Sequence, residues 1–167
     1  MKNLSKVLGK FGKEVTKDAK KNLSKSGSNN TGKLNNSIEY KLKEDAKGFE
    51  LSIWMEHYGM LLDAGQLGKK KKILKGWNKS IFIPRGKGFT TKYPNIGAIK
   101  NWIRQKPISS NLSLNSLSFL IARKIFNEGI QPRLFMSDAY NKHEKTLENE
   151  LLGGIDKDID DQIDKIK

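Results

Sequence analysis

The stretch from Leu117 to Ala139 constrains the fold most, because it joins two helical patterns through a helix stop. Apolar residues in its first half share one stripe at helical spacing: Leu117, Leu120, Ile121 and Ile125. Gly129 can adopt the left-handed conformation that ends a helix, and Pro132 prevents the helix from resuming at once. Apolar residues 134–136 then begin another helical pattern. The sequence therefore predicts two core helices joined by a sharp corner.

Residues 2–25 show the pattern of an amphipathic helix with lysines on its polar faces. The apolar stripe comprises Leu4, Leu8, Phe11, Val15, Ala19 and Leu23. A basic helix of this kind is also typical of a segment that lies on a membrane surface. We favour packing against the chain's own sheet or a neighbouring copy, because the apolar face is narrow and carries one aromatic residue, Phe11.

The clearest strand signal lies between residues 37 and 55. Apolar residues alternate with other residues in two runs: Ile38, Tyr40 and Leu42, then Phe49, Leu51, Ile53 and Met55. Residues 44–48 separate the runs and have the composition of a turn. This pattern predicts a β-hairpin with one buried face.

The middle of the chain loses its periodicity. Residues 56–65 predict a short helix or an irregular corner that Gly65 closes. Residues 66–94 form a basic insertion that contains a run of four lysines at residues 69–72. A loop of this length in a compact domain is usually functional or disordered. Within it, the apolar triplet at residues 81–83 indicates one short strand.

Helical patterns return in the second half. Asn95 is the expected N-cap of a helix that runs through Lys106 and stops at Pro107. Its apolar side comprises Ile96, Ile99, Trp102 and Ile103. The final helix begins near Met136, and the pair Gly153–Gly154 is expected to break or weaken it, at about 2 kcal/mol relative to alanine.

These elements predict an α+β fold: a small antiparallel sheet, the hairpin at about 37–55, is flanked by the N-terminal amphipathic helix and by C-terminal helices. We expect a single domain over residues 1–152, with the basic insertion at about 66–94. Residues 153–167 then form an acidic amphipathic tail. Such a tail is too short to be stable alone, so it should pack on its own domain or on a neighbour.

The net charge of +14 indicates an anionic partner, such as nucleic acid, a membrane surface or an acidic protein face. Lysines outnumber arginines 28 to 4, which favours a lysine-rich solvated surface over sequence-specific reading of nucleic acid. There is no cysteine, which excludes disulfides and thiolate chemistry. Without a membrane-spanning run or a secretion signal in the sequence, we expect a soluble protein made in the cytoplasm of its host.

The sequence lacks a convincing catalytic or metal-binding pattern. His57 and His143 stand apart without a second histidine at ligand spacing. Residues 84–88 look like a phosphate loop but lack its Gly-Lys-Ser/Thr ending, and the aspartates of the tail lack the glycine and glutamate of a calcium loop. We therefore expect no enzymatic activity, no metal and no cofactor.

Three motifs, however, resemble those of the bacteriophage neck and tail-completion proteins, which join the head connector to the tail. The first is Thr-Gly-x-Leu-x-x-Ser-Ile at residues 31–38, and the second is Tyr-Gly-x-x-Leu-(Asp/Glu)-x-Gly at residues 58–65. The third, Gly-Ile-x-Pro-Arg-x-Phe at residues 129–135, leads into a helix containing Ala139. The resemblance covers most of residues 4–145, but it does not explain the insertion or the acidic tail.

The resemblance implies a non-enzymatic virion protein that forms a homo-oligomeric ring, usually of six or twelve copies, around the DNA channel. Its expected partners are portal or connector proteins and tail-tube or tail-terminator proteins, with non-specific DNA contact and no membrane contact. Its expected location is the neck or tail of the virion. We expect subunit or partner contacts at the motifs, the basic insertion and the tail: Tyr58, Gly65, Lys69, Lys70, Lys71, Lys72, Arg85, Gly129, Pro132, Arg133, Phe135, Ile155, Ile159 and Ile163.

Two alternatives stay open. One is a basic nucleic-acid-binding protein that acts independently of a virion, with an affinity that falls steeply as salt rises. The other is an enzyme such as a nuclease, for which the sequence offers no clustered carboxylates.

Overall fold

A computed structural model describes residues 2–27, 31–46, 48–70, 76, 79–82, 92–106 and 108–165. The elements are α1 (Lys2–Lys25), α2 (Lys33–Ser37), β1 (Glu39–Asp45), β2 (Gly48–Trp54), α3 (Tyr58–Ala64), β3 (Gln66–Leu67), α4 (Ile96–Gln105), α5 (Leu114–Glu128), β4 (Gly129–Ile130) and α6 (Phe135–Ile163). They confirm the predicted α+β class and the hairpin flanked by helices. The chain forms two compact units: unit 1 comprises residues 1–56 and 135–167, and unit 2 comprises residues 57–134.

In unit 1, helices α1 and α6 run antiparallel along each other. Lys10 Nζ lies 3.0 Å from Glu150 Oε1, and Lys142 Nζ lies 2.6 Å from Asp18 Oδ2. The stripe predicted for α1 is largely confirmed, because Phe11, Val15, Ala19 and Leu23 are buried. Phe11 meets Tyr140 of α6 edge to face, with ring centroids 5.9 Å apart. The first and last long helices of the chain therefore form the centre of this unit.

Of the two effects expected at Gly153–Gly154, a break is wrong, because α6 continues through both glycines to Ile163. A Cβ on Gly154 would lie 3.2 Å from Val7 Cγ2 and 3.5 Å from the backbone of Leu4, so α1 passes close to the helix here. Contact with α1 offsets the weak helix propensity of glycine. Residues 153–163 thus pack on the chain's own domain, which is one of the two placements expected for the tail, and residue 152 lies inside α6.

The hairpin packs on α1. Strands β1 and β2 pair antiparallel from Glu39↔Trp54 to Asp45↔Gly48, so the connecting turn is shorter than the five residues expected. The burial pattern alternates along β1, as the sequence predicts. A Cβ on Gly12 of α1 would lie 2.7 Å from Tyr40 Cδ2 and 2.9 Å from Leu51 Cδ1. The predicted apolar face of the hairpin therefore lies directly against the helix.

In unit 2, α4 and α5 pack around Ile99, Ile103 and Ala122. Both helices begin at side-chain caps: Ala98 N donates to Asn95 Oδ1 at 3.0 Å, and Ser116 N donates to Ser113 Oγ at 3.2 Å. The predicted cap at Asn95 is confirmed.

The stripe predicted for α5 is only partly correct. Leu117, Ile121 and Ile125 pack on the core cluster, whereas Leu120 is 48% exposed. The buried face of α5 is centred on small residues and not on the predicted stripe, since Ser118 and Ala122 are fully buried. Trp102 on α4 is also exposed, contrary to expectation. Large apolar side chains are therefore left on the surface of both helices.

The short strand expected at residues 81–83 is not present in the described part of that segment, where Ile81 and Phe82 form a bend. Phe82 N donates to Ser80 Oγ at 3.1 Å. A local bond of this kind offers the backbone an alternative to strand pairing. Ile83 lies outside the described residues, as do Trp77, residues 84–88 and Pro107.

Candidate functional site

The residues expected to form contacts fall into two groups. Seven belong to unit 2: Tyr58, Gly65, Lys69, Lys70, Gly129, Pro132 and Arg133. Four belong to α6 in unit 1: Phe135, Ile155, Ile159 and Ile163. Lys71, Lys72 and Arg85 lie outside the described residues.

Within unit 2, the second and third sequence motifs meet through strands β3 and β4. These strands pair antiparallel, with Gln66 opposite Ile130 and Leu67 opposite Gly129. Neither strand was predicted, because two residues are too few to show an alternating pattern. We call the paired region, residues 62–70 with residues 126–134, the motif junction.

Backbone hydrogen bonds join the two halves of the motif junction. Arg133 N donates to Leu62 O at 3.0 Å and to Asp63 O at 3.2 Å, and Leu134 N donates to Asp63 O at 3.1 Å. These carbonyls belong to the last turn of α3, where a helix lacks its own donors. The third motif therefore caps the helix of the second, and Leu134 adopts a positive φ of 52° to do so.

Gly129 makes the closest approach in the motif junction. Its φ of 88° and ψ of −168° place it in an extended conformation that essentially only glycine adopts, rather than in the expected left-handed helical one. A Cβ on Gly129 would lie 2.1 Å from Gln66 O, and one on Gly65 would lie 2.6 Å from Ile130 O. Gly65 and Gly129 are therefore explained by the close approach of the two backbone segments that contain β3 and β4.

Asp63, the acidic residue of the second motif, is fully buried within the motif junction. Ser80 Oγ donates to Asp63 Oδ2 at 3.1 Å. In the sequence, Asp63 stands apart from other carboxylates and does not look like part of a site. The signal that could have distinguished it is its position between Leu62 and Gly65 in a motif, where a buried carboxylate needs hydrogen-bond donors.

The first lysines of the basic insertion lie at the C-terminal end of α5. Lys69 N donates to Phe126 O at 2.7 Å, and Lys70 N donates to Asn127 O at 3.1 Å. Lys69 Nζ also lies 5.6 Å from the centre of the Phe126 ring. The backbone N–H groups of both lysines therefore cap the C-terminal end of α5, where the helix lacks its own donors.

The contact residues expected on α6 differ from one another in exposure. Phe135 is 1% exposed and belongs to the core of unit 1, so it is not available as an interface residue in this fold. Ile159 and Ile163 are about half exposed and lie on one stripe with Leu152. Exposed aspartates flank this stripe, which we call the α6 stripe: Asp156, Asp160 and Asp164.

The formal charge divides unevenly between the units. Residues 57–134 contain 15 basic and 2 acidic residues, whereas the remaining residues contain 17 basic and 16 acidic ones. Unit 2 therefore carries a net charge of +13 and unit 1 a net charge of +1. Almost the whole positive charge of the chain belongs to the unit that contains the motif junction.

Among the described residues, no three histidine, aspartate or glutamate side chains come together in a way that could hold a metal ion. His143 instead lies between helices, with Nε2 3.0 Å from Asp18 Oδ2 and Nδ1 3.4 Å from Glu14 Oε2. In the same part of the chain, no helix is long and apolar enough to cross a membrane.

The chain was compared with models of protein families, with curated proteins and with solved structures, and none of the three comparisons found a match. The relation to the neck and tail-completion proteins therefore stays a prediction based on the three motifs. The motif junction adds a physical reason for two of them, because Gly65 and Gly129 each lie close to the backbone of the opposite segment.

Proposed function

We propose that this chain is a non-enzymatic structural protein of a bacteriophage virion, a neck or tail-completion component. In this proposal it assembles with copies of itself into a ring around the DNA channel. The ring joins the portal or connector to the tail-tube or tail-terminator proteins.

The observation that carries the proposal is the motif junction. Two motifs that are more than 60 residues apart in the sequence form a single backbone structure, in which the third motif caps the helix of the second. The residues on which the resemblance is based therefore have a shared structural role, which a chance match between short sequences would not require. This supports the resemblance, and it involves only the first residues of the insertion, 66–70.

The charge distribution supports self-assembly between unlike surfaces. Unit 2 carries nearly all of the net positive charge, whereas the exposed apolar residues of the α6 stripe are flanked by aspartates. A head-to-tail contact between the α6 stripe of one copy and unit 2 of the next would pair opposite charges. Such a heterologous contact closes into a ring when its rotation allows. The charges would guide assembly and fix its orientation.

Point substitutions in the α6 stripe test this assembly. Deletion of residues 153–167 is a poor test, because it removes Gly154 and Asp158 from their contacts with α1. We expect Ile159→Ser combined with Ile163→Ser to shift rings towards monomers by at least tenfold in dissociation constant, since both side chains are about half exposed and lose apolar contact area. Native mass spectrometry at micromolar concentration measures the shift.

The matched control replaces Lys157 and Gln162 with serine, because both are exposed on α6 but outside the stripe. This variant should assemble like the wild type. A wild-type chain that stays monomeric up to high micromolar concentration would contradict self-assembly. Equal weakening by both double variants would show that α6 does not use this stripe.

A second candidate function is nucleic-acid binding independent of a virion. The concentration of a net +13 in residues 57–134 favours it, because neutralising phosphates is the usual role of such a charge. It differs from the first candidate in needing no ring, and a monomer that binds nucleic acid strongly would favour it.

A further inference from the structure

Three aromatic rings of unit 2 form a stacked series. The Tyr93 ring is stacked on Phe126 at a centroid distance of 4.4 Å and an interplanar angle of 16°. It also faces Phe119 at 6.1 Å and 23°. Phe119 and Phe126 are two turns apart on the same face of α5. We call Tyr93, Phe119 and Phe126 the aromatic platform.

The aromatic platform is anchored at one end and exposed along the rest. Phe126 is 6% exposed, so it fixes the position of the Tyr93 ring. Tyr93 is 46% exposed and Phe119 is 48% exposed. Two large aromatic side chains with nearly parallel planes are thus accessible from solvent.

Cations border the aromatic platform. Lys69 Nζ lies over the Phe126 ring, Arg123 lies between Phe119 and Phe126 on the same face of α5, and Lys92 precedes Tyr93. All three are exposed, as is Lys70 at the end of α5. Unit 2 has only two acidic residues to balance these cations: Asp63, which is fully buried, and Glu128, which is exposed at the end of α5. The surface therefore combines aromatic faces with excess positive charge.

We propose that the aromatic platform binds single-stranded nucleic acid. A base stacks on Phe119, the exposed end of the stacked series, and the Tyr93 ring supports Phe119 from its other side, while Lys69, Lys70, Lys92 and Arg123 contact the phosphates. Base stacking on aromatic side chains within a basic surface is how proteins hold single strands without reading their sequence. A duplex fits less well, since its base faces are already stacked on each other. An acidic protein partner would account for the cations but not for the parallel aromatic rings.

The proposal goes beyond the ring and does not depend on it. The test uses the full-length protein and fluorescence anisotropy of labelled oligonucleotides: single-stranded oligo-dT, the corresponding oligo-U and a duplex of equal length. We expect both single strands to bind more tightly than the duplex. Four phosphate contacts predict a slope of about −3 in a plot of log affinity against log salt. The comparison of oligo-dT with oligo-U shows whether DNA or RNA is preferred.

Substitutions separate stacking from general electrostatics. Tyr93→Ala and Phe119→Ala should each weaken oligo-dT binding about tenfold, whereas Tyr93→Phe and Phe119→Tyr should retain it because they keep a ring face. Leu120→Ala is the matched control, since Leu120 is next to Phe119 and equally exposed. Arg123→Ala should weaken binding more than Lys124→Ala.

Circular dichroism melting of each variant checks that it is folded, and the exposure of Phe119 makes unfolding of Phe119→Ala unexpected. The proposal is overturned if the duplex binds as tightly as the single strands, or if folded alanine variants bind like the wild type. It is also overturned if Phe119→Ala abolishes self-association but leaves oligonucleotide binding intact, because the platform then contacts a second copy. Ring assembly without oligonucleotide binding would reject this inference and leave the proposed function standing.

Discussion

At the residue scale, glycines determine how closely backbone segments approach one another in this protein. Gly129 combines a positive φ with a backbone oxygen 2.1 Å from its missing Cβ position. The surrounding strands therefore leave no space for any other residue. We therefore expect Gly129 to be needed for unit 2 to fold. Any effect of this corner on the orientation of a subunit interface is secondary to that.

We predict that Gly129→Ala destabilises the protein by about 2–4 kcal/mol, because it adds both a strained φ and a clash with Gln66 O. The measurement is chemical denaturation, followed by hydrogen exchange to locate the effect in residues 57–134. Gly27→Ala is the control, since Gly27 has a φ of +65° but nothing within 4 Å of a Cβ. Equal losses in the two variants would mean that the conformation of Gly129 matters and its close contacts do not.

Two carboxylates, Asp18 and Asp158, form hydrogen bonds between α1 and α6, and the pKa of each is lowered. Lys142 and His143 donate hydrogen bonds to Asp18 and hold the pKa of that carboxyl below its usual range, against the effect of desolvation. Desolvation acts to raise the pKa of Asp158, but the bonds from Asn3 N and Leu4 N, at 2.9 Å each, outweigh it and lower the pKa. Asp158 thereby caps the first turn of α1 from another helix.

The direction of these shifts predicts the response to acid. A carboxylate whose pKa is lower in the folded state stabilises the fold above its unfolded pKa, near 4, and loses that effect as pH falls through the folded pKa. We expect the melting temperature to fall from about pH 5 downwards. Asp158→Asn should lower the melting temperature at pH 7 and flatten its decline in acid, whereas Asp156→Asn on the exposed side should do neither. If the melting temperature of Asp158→Asn fell in acid as steeply as that of the wild type, the Asp158 cap would not contribute to the acid response.

At the element scale, long elements with their own periodicity could be predicted and short ones could not. Helix α1, the hairpin and the capped α4 follow from apolar spacing and Asn95. Strands β3 and β4 are defined by their pairing across the chain, which no local pattern encodes. The helix does not break at Gly153–Gly154, because contact with Leu4 and Val7 outweighs the low helix propensity of glycine. This contact, too, is made across the chain and has no local sequence pattern.

The candidate site shows the same division. Sequence motifs identified Gly65, Gly129 and Arg133, which the motif junction brings together. They did not indicate the aromatic platform, because Tyr93 lies in an unpatterned segment and approaches α5 only in the folded state. Phe135 was expected at an interface because of its motif, but its motif position reflects burial in unit 1.

At the scale of the whole molecule, the two units differ sharply in charge. Unit 1 balances its acidic and basic residues within cross-helix pairs such as Lys10 with Glu150, whereas unit 2 has only two acidic residues. Helix α1 is strongly basic by itself, but acidic residues elsewhere in unit 1 offset its lysines, so the unit as a whole is nearly neutral. A polyanion should therefore bind mainly to unit 2.

Charge reversals that change the net charge equally test this difference. We predict that Lys70→Glu with Arg133→Glu, in unit 2, lowers the salt concentration needed to elute the protein from a heparin column by roughly a third or more. Lys17→Glu with Lys21→Glu, exposed on α1, should have a smaller effect. Identical elution of the two variants would mean that total charge governs binding regardless of its location.

The pairing of α1 with α6 also sets the order in which the protein can fold during its synthesis. About 110 residues separate the end of α1 from the start of α6, so at 5–20 residues per second α1 waits about 5–20 s for its main partner. Helices form in microseconds, so α1 is exposed throughout that delay, with the hairpin as its earliest covering. We expect the lysines on its polar faces to limit aggregation of the nascent chain during that delay, until α6 is made and covers the apolar face of α1.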